Sequence, residues 1–361
     1  MRAARADGGE QSAQAVLQRY EVDVVEGLEP IARDELQRHL GARIHLRDTH
    51  ISRRAPSTIQ FDYSGADLLH LRTVLAAYVV HHVAVPRPRA LLADGYMRTL
   101  LAQIAAIRTL VPATAYRTLA LSAAGADSAV FTRLKTELAQ RTGLTVAPEE
   151  GDLYLRVRRP VRGDAGWEVL IRLTPRPLAT RPWRVCNPKG ALNGTVASAM
   201  VLMTRPRPDD IFLNLGCGSG TLLIERVACM PCQRAIGCDI SAAARDAAIT
   251  NVAASPYTGQ IEIYGWDARM LPLPDQSVDT LCADLPFGHV VGSHDENTTL
   301  YPQILGEAAR VAQAGARFVV MTHEVRLMEQ VLDQTDEWVM ESHVRVRVGG
   351  LYPRVFVLHR R

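Results

Sequence analysis

Residues 211–221 read Ile-Phe-Leu-Asn-Leu-Gly-Cys-Gly-Ser-Gly-Thr, and this stretch decides the fold. The first five residues predict a buried strand, and the alternating glycines predict a sharp turn where a ligand can approach the backbone. A helix predicted over 219–227 follows, and the free N–H groups at its start favour an anionic group. Thr221 stands where the dinucleotide-binding pattern Gly-x-Gly-x-x-Gly has its last glycine. A tight turn without a ligand is the alternative that this stretch alone leaves open.

Outward from this stretch, strand and helix patterns alternate. Strands are predicted at 211–215, 235–238, 261–264, 280–283 and 317–321, and helices at 219–227, 241–251, 300–312 and 324–332. The segments 343–348 and 351–359 then alternate apolar and polar residues across Gly349-Gly350, which predicts a hairpin. The fold class predicted for this half is α/β, a Rossmann-like doubly wound sheet that ends in an antiparallel hairpin.

The first half predicts α+β structure. Strands at 20–25, 57–63 and 78–84, with helices at 30–40 and near 66–73, suggest a small ferredoxin-like unit. After Pro86, helices near 95–109 and 128–141 and strands at 116–121, 153–158 and 167–173 predict a second unit. The predicted organisation therefore begins with a flexible tail (1–16) and two α+β domains (17–86 and 87–178). A linker (179–188) then leads to the α/β domain (189–361).

Charge is unevenly divided between the halves. Residues 1–185 hold 26 Lys/Arg against 19 Asp/Glu, whereas residues 186–361 hold 15 against 19. A basic half joined to a mildly acidic half fits a protein in which one part holds a polyanion and the other does chemistry. Because nearly all of the cations are arginines, the excess is also compatible with a solvated surface of ordinary function.

Cysteine usage and hydropathy favour a soluble cytoplasmic protein. All six cysteines fall between Cys186 and Cys282 in apolar or motif contexts, which is typical of reduced thiols. Cys229 and Cys232 form a Cys-x-x-Cys without a second ligand pair, so no metal is expected. No apolar run reaches the roughly 18–20 residues that span a bilayer.

Two carboxylates strengthen the prediction of a ligand site. Asp239 ends the second predicted strand and Asp267 ends the third. A carboxylate at the first position can accept both hydroxyls of a ribose lying over the glycines, and one at the second can accept an adenine amino group. Either alone is more often a helix cap or a turn residue, but together they favour a nucleoside site.

The stretch Asp284-Leu285-Pro286-Phe287-Gly288 closes the fourth predicted strand. The exocyclic amine of a nucleobase is a poor nucleophile because its lone pair is shared with the ring. Asp284 and the Leu285 carbonyl can accept its hydrogens while Pro286 fixes the turn, and Phe287 offers a face on which an extruded base can stack. A Pro-Gly turn beside a buried Phe is the alternative interpretation.

Together these motifs resemble the class I amino-methyltransferases, and within them the THUMP-domain tRNA guanine-N2 methyltransferases. Asp284–Gly288 is similar to that family's Asp-Leu-Pro-(Phe/Tyr)-Gly pattern, and Glu26–Ala32 is similar to the start of its ferredoxin-like unit. The segment 184–195 resembles the one leading into the family's cofactor site, with Leu-Asn-Gly in place of the usual Leu-Asn-Pro. Residues 116–181 resemble the THUMP module, which in the family engages the 3′ end of tRNA.

The resemblance implies S-adenosyl-L-methionine as cofactor and tRNA as partner. The residues expected at the cofactor are Asn193, Thr195, Leu215, Gly216, Gly218, Ser219, Gly220, Thr221, Asp239, Ile240, Asp267, Ala268 and Asp284. Those expected at RNA are Arg117, Arg133, Lys135 and Arg184. The implied product is N2-methylguanosine, with the acceptor-stem guanosine at position six favoured.

Three alternatives stay open at this stage. In the first alternative, the enzyme methylates another tRNA guanosine or a ribosomal RNA guanine. In the second, it methylates a small molecule. In the third, the chain is a non-catalytic RNA-binding protein that retains a vestigial methyltransferase fold.

Overall fold

A computed structural model describes residues 17–52, 56–65, 67–161, 165–286 and 293–361. The expected tail 1–16 and the motif residues Phe287 and Gly288 lie outside these described residues. Within the described ranges, every helix is too short or too polar to cross a membrane.

The N-terminal half is built on a single eight-stranded sheet. Its elements are β1 (Gln18–Val24), α1 (Glu29–Leu40), β2 (Ile44–His50), β3 (Ser57–Tyr63), β4 (Ala76–Val83), α2 (Asp94–Ile107), β5 (Thr118–Ala123), α3 (Ala129–Thr142), β6 (Thr145–Val146), β7 (Leu153–Arg158) and β8 (Trp167–Arg172). The strand order is β2-β3-β1-β4-β8-β7-β5-β6. The helix expected near 66–73 was wrong, because only a short 3-10 turn at Asp67–His70 is present there.

The two predicted N-terminal units share this sheet through one antiparallel pair of strands. Val80 of β4 lies opposite Leu170 of β8, so the hydrogen-bonded ladder runs across the expected boundary. Within the segment 179–188 that was predicted as a linker, Arg181 and Trp183 are buried. The N-terminal half therefore presents one continuous scaffold to the rest of the chain.

The C-terminal half confirms the predicted Rossmann-like sheet. Its elements are α4 (Gly194–Met203), β9 (Ile211–Leu215), α5 (Thr221–Cys229), β10 (Arg234–Cys238), α6 (Ala242–Ala253), β11 (Ile261–Tyr264), β12 (Val278–Asp284), α7 (His294–Val311), β13 (Ala312–Thr322), α8 (Val325–Asp333), β14 (Trp338–Arg345) and β15 (Arg354–Arg360). The strand order is β11-β10-β9-β12-β13-β15-β14, with β15 antiparallel to both neighbours. The order reverses between β9 and β12, which is where ligands bind in open α/β sheets.

A buried carboxylate joins the two halves. Glu225 on α5 is fully buried and accepts hydrogen bonds from Nε of Arg72 and from Nε of Arg181, each at 2.8 Å. Nη2 of Arg181 also donates to the Arg72 carbonyl at 2.7 Å. Because Arg72 precedes β4 and Glu225 lies on the helix after the glycine loop, this cluster fixes the N-terminal sheet against the α/β domain.

We expect Glu225→Gln to destabilise the whole protein. The substitution leaves two arginines beside a neutral amide, and removal of one partner from a buried ion pair costs about 3–5 kcal/mol. Urea denaturation would measure the change in the free energy of unfolding. Glu137→Gln, which removes the surface partner of Arg133 on α3, is the control and should cost no more than about 0.5 kcal/mol. Equal effects of the two variants would show that the junction contributes no more than a surface pair.

Candidate active site

Four parallel strands end at one edge of the C-terminal sheet and bring the predicted motifs together. Leu215 of β9 lies opposite both Cys238 of β10 and Ala283 of β12. The glycine loop, Asp239 and Asp284 therefore follow at adjacent strand ends. Asp267 follows β11, the next strand along. The sequence prediction that these residues share one site is geometrically possible because carboxyl ends of parallel strands meet at the same edge.

The glycine loop leaves open space above its backbone. Gly216, Gly218 and Gly220 have positive φ values of 60°, 53° and 78°, which strain any residue with a Cβ. A Cβ added at Gly216 or Gly218 would meet no atom within 4 Å, whereas one at Gly220 would lie 3.2 Å from Ala248. Gly220 also caps α5. The loop thus packs closely on its helix side and is open on the other.

The Asp239 carboxylate is held against this loop by two backbone amides. One oxygen accepts the Gly218 N–H at 3.0 Å, and the other accepts the Ser241 N–H at 2.9 Å. The next residue, Ile240, is 70 % exposed. A fixed carboxylate with free lone pairs therefore lies beside an exposed apolar side chain, an arrangement that suits a ribose attached to a flat base.

Asp267 is engaged by a local arginine. The Arg269 guanidinium contacts the carboxylate at 2.6 Å and its main-chain N–H donates at 2.9 Å. These hydrogen bonds from Arg269 hold the pKa of Asp267 below its usual range. Ala268 is half-buried beside it, and the rings of Tyr264 and Trp266 stack at 4.0 Å just before. Any ligand amine that contacts Asp267 shares this carboxylate with Arg269.

Asn193 and Thr195 use their side chains within the protein. The Asn193 amide oxygen caps α4 by accepting the Thr195 N–H at 2.8 Å. Thr195 is fully buried and its hydroxyl donates to the Val74 carbonyl at 3.4 Å. Leu215 is buried at the end of β9. The contacts of Asn193 and Thr195 fix the start of α4. Direct contact of Asn193, Thr195 and Leu215 with a ligand stays a prediction.

Arg184 contacts the end of the glycine loop through Thr221. It is half-buried and donates to the Leu192 carbonyl at 2.5 Å and to the Thr221 hydroxyl at 2.9 Å. Burial lowers the pKa of its guanidinium. The Thr221 hydroxyl in turn lies 3.3 Å from that of Ser219. The structure thus places Arg184, which was expected at RNA, against the end of the glycine loop, and its contact with RNA stays a prediction.

Asn251 is a residue that the sequence reasoning missed. It is fully buried on α6, and its amide nitrogen donates to the carbonyls of Cys186 at 2.8 Å and Ser219 at 3.0 Å. It therefore ties the connecting segment to the glycine loop. The available signal was a single Asn near the end of an alanine-rich helix, which also fits a surface position.

Asp284 combines burial with an unsatisfied acceptor. Its Oδ1 atom is buried and has no hydrogen-bond partner in the described part of the chain. Burial raises the pKa of this carboxyl to about 7, far above the ordinary value of about 3.9. Leu285 is buried and its N–H donates to the Met321 carbonyl at 3.0 Å, so its position relative to β13 is fixed. Among the described residues, Oδ1 is thus a fixed acceptor whose hydrogen-bonding capacity is unused.

A hydrogen-bonded network, also missed from the sequence, holds the turn that follows. The Pro286 carbonyl accepts the Tyr301 hydroxyl at 2.6 Å and the Asn297 amide at 3.1 Å. The Tyr301 and Thr322 hydroxyls lie 2.6 Å apart. Because the only Tyr301 hydroxyl hydrogen is directed to Pro286, Thr322 is the donor in this second contact. Residues of α7 and β13 therefore fix the turn that follows β12.

The remaining residues expected at RNA lie in the N-terminal half. Arg117 is exposed just before β5, and Lys135 is half-buried on α3. Arg133, also on α3, pairs with Glu137 at 2.7 Å, so part of its charge is balanced. Their contact with RNA stays a prediction.

A family model covers the half that carries this site. Residues 181–354 match the model described as "RMKL-like, methyltransferase domain", UPF0020. The tRNA (guanine(6)-N2)-methyltransferase of Thermus thermophilus is 31 % identical over 216 residues, which are 57 % of this chain and 60 % of that protein. The tRNA (guanine(6)-N(2))-methyltransferase THUMP3 of Mus musculus is 30 % identical over 205 residues, or 53 % of this chain and 40 % of that protein.

The fold comparison extends further along the chain. The crystal structure of TrmN from Thermus thermophilus aligns with a TM-score of 0.70 and 22 % identity, covering 95 % of this chain and 100 % of that one. This chain matches 60 % of the length of the Thermus thermophilus methyltransferase sequence and 40 % of the length of the Mus musculus THUMP3 sequence. The matches confirm the methyltransferase fold and the resemblance that the motifs predict.

We expect Asp284→Asn to stabilise the protein increasingly as the pH rises from 5 to 8. The folded pKa of about 7 exceeds the unfolded value of about 3.9, so the stability that the wild type has at low pH is lost as the pH rises towards 7. The free energy of unfolding of the wild type therefore falls by up to about 1.4 kcal/mol per pH unit in this range. The asparagine variant has no carboxyl to ionise and does not lose this stability. Urea denaturation at both pH values measures the difference. Asp246→Asn, on the exposed face of α6, is the control, and a pH-independent Asp284→Asn effect would contradict the raised pKa.

Proposed function

We propose that this chain is an S-adenosylmethionine-dependent RNA methyltransferase that forms N2-methylguanosine in tRNA. The observation that carries the proposal is the buried Asp284 Oδ1 atom, which has no hydrogen-bond partner among the described residues and lies at the strand end beside an open glycine loop. The names of the two relatives given above favour the guanosine at position six of tRNA. The free cysteines of the described chain fit action in the cytoplasm.

The site fits S-adenosylmethionine on its own geometry. Asp239 is oriented to accept two ribose hydroxyls, Ile240 offers an apolar surface to the adenine, and Asp267 retains lone pairs for the adenine amine. The free N–H groups at the start of α5 suit the carboxylate of the amino acid part. When bound, the cofactor supplies an electrophilic methyl group on its sulfonium.

At the acceptor, Asp284 both orients the amine and receives a proton. Its carboxylate and the Leu285 carbonyl accept the two N–H groups, which directs the nitrogen lone pair away from them. N-methylation of a neutral amine releases one proton, and a carboxylate with a pKa of about 7 is suited to accept it near neutral pH. Tyr301 and Asn297 keep the turn in place throughout by holding the Pro286 carbonyl.

RNA recognition belongs to the N-terminal half in this proposal. By resemblance, residues 87–178 form the THUMP-like part that engages the tRNA end, with Arg117, Arg133 and Lys135 at phosphates. In the C-terminal half, Phe287 stacks on the target base. Phosphate contacts position an RNA without reading its bases. The target guanosine is then chosen by its distance from the bound tRNA end. Methylation of a ribosomal RNA guanine or of a different tRNA guanosine would show that another target is chosen.

Asp239→Ala should weaken the binding of S-adenosylhomocysteine at least about tenfold. The substitution removes a charged acceptor worth roughly 1.5–3 kcal/mol and releases the Gly218 amide. Isothermal titration calorimetry measures the affinity, with Asp246→Ala on the exposed face of α6 as a control that should bind like the wild type. Unchanged affinity of the Asp239 variant would remove this residue from the cofactor site.

Incubation of tRNA with the protein and S-adenosylmethionine should produce N2-methylguanosine, detected by mass spectrometry of the nucleosides. Asp284→Ala should reduce the single-turnover rate about 10²–10⁴-fold. Its S-adenosylhomocysteine affinity should hold, because Asp284 is expected to lie against the reacting amine and away from the ribose and adenine of the cofactor. The wild-type rate should fall about tenfold per pH unit below about 7, since the protonated carboxyl cannot accept the amine proton.

Two outcomes separate the alternatives. A product formed only on ribosomal RNA or on a small molecule would replace tRNA as the substrate. A protein that binds tRNA but neither S-adenosylhomocysteine nor any methyl acceptor would be the non-catalytic RNA-binding protein.

A further inference from the structure

The hairpin between β14 and β15 ends in a basic, aromatic segment, residues 345–354, which we call the hairpin tip. It reads Arg-Val-Arg-Val-Gly-Gly-Leu-Tyr-Pro-Arg and contains no acidic residue, within a half of the chain where acidic residues outnumber basic ones. Val348 and Leu351 pair through two hydrogen bonds of 3.0 and 2.9 Å. Gly349 and Gly350 between them have positive φ values of 57° and 83°, as a two-residue hairpin turn requires. The tip is therefore an ordered turn.

The strand register places the hairpin tip at the edge that carries the candidate active site. Arg354 lies opposite Thr322, the last residue of β13, and Arg345 lies opposite Arg354. Thr322 is the residue whose hydroxyl supports Tyr301 and, through it, the Pro286 carbonyl. In the strand order, β15 is two strands from β12, which corresponds to about 10 Å across the sheet. The hairpin tip therefore begins at the level of the turn that follows β12 and extends beyond it.

The hairpin tip also rests on the N-terminal half. The Arg347 N–H donates to the Glu26 carbonyl at 3.1 Å. A Cβ added to Gly27, whose φ is +98°, would come within 2.0 Å of the Arg345 carbonyl oxygen, so glycine is required for this close approach. The contact therefore lies where the proposed RNA-binding half meets the catalytic edge.

The exposed side chains of the tip suit an unpaired RNA strand. The Arg345 side chain is 63 % exposed and its guanidinium lies 5.0 Å from the centre of the Tyr352 ring. Tyr352 and Leu351 are themselves 39 % and 40 % exposed. The nearest acidic partner of Arg345, Glu26, is 3.9 Å away, which leaves most of the guanidinium's donors available. An arginine binds phosphate, and an aromatic ring beside it stacks on a base without selecting its identity.

We propose that the hairpin tip binds the RNA strand next to the target nucleotide, with Arg345 at a phosphate and Tyr352 stacked on a neighbouring base. This inference rests on the proposed RNA methyltransferase function and adds a second RNA contact, on the catalytic half. It gives the extruded guanosine a support on the side of the turn away from the glycine loop.

The test compares Arg345→Gln and Tyr352→Leu with the wild type in tRNA binding measured at several salt concentrations. Each should weaken tRNA affinity about fivefold or more, and Arg345→Gln should also lower the slope of log affinity against log salt by about one. S-adenosylhomocysteine affinity and melting temperature should stay unchanged, because neither side chain is buried. Arg361→Gln is the matched control: this residue follows the opposite end of the same hairpin, is 59 % exposed and has one ion pair at 3.5 Å.

Wild-type tRNA affinity and salt slope in both variants would overturn the inference, even if tRNA is methylated. An equal loss in Arg361→Gln would also overturn it, since general surface charge would then be responsible. A change in sedimentation of the variants with unchanged tRNA binding would instead make the tip a contact between copies of this chain. Failure of the proposed function is distinguishable, because it appears as absence of N2-methylguanosine in the wild-type reaction.

Discussion

The buried carboxylate of Glu225 is the interaction on which the arrangement of this molecule depends. It lies on α5, the helix that begins directly after the glycine loop, and it accepts hydrogen bonds from Arg72 of the N-terminal half and Arg181 of the connecting segment. The same short helix thus follows the glycine loop and anchors the other half. A buried carboxylate that is paired with two arginines tolerates few alternative geometries, so the position of the N-terminal half relative to the glycine loop is set here.

The edge that carries the candidate site has the opposite character, since the Oδ1 atom of Asp284 is buried and has no hydrogen-bond partner among the described residues. Such a group lowers the stability of the folded protein at neutral pH and persists only because surrounding elements determine its position. Here β13 holds Leu285, and α7 holds the Pro286 carbonyl through Tyr301 and Asn297. In the function proposed for this chain, this carboxyl is the acceptor that holds the substrate amine.

Sequence patterns predicted most of the C-terminal strands because buried strands bounded by glycines have a strong local signature. They missed α4, which is apolar on all sides and shows no helical period, and they began α7 at Leu300 instead of His294. The capping box of Ser293 and Glu296 was the available signal for the true start of α7. That error matters, because Asn297 lies in the missed turn. In the N-terminal half, short-range patterns could not show that β4 and β8 pair, since sheet partners distant in sequence leave no local trace.

By itself the sequence determined the α/β class, the glycine loop, the order of the three carboxylates along the chain and the terminal hairpin, because each depends on the spacing of neighbouring residues. Only the tertiary structure decided how these parts act together. It put Arg184 against Thr221 at the end of the glycine loop, buried the Asp284 Oδ1 atom with no partner in the described part of the chain and brought the hairpin tip against Gly27. The physical reason is that burial, desolvation and hydrogen-bond partners depend on residues far apart in the chain, which meet only when both sheets have formed.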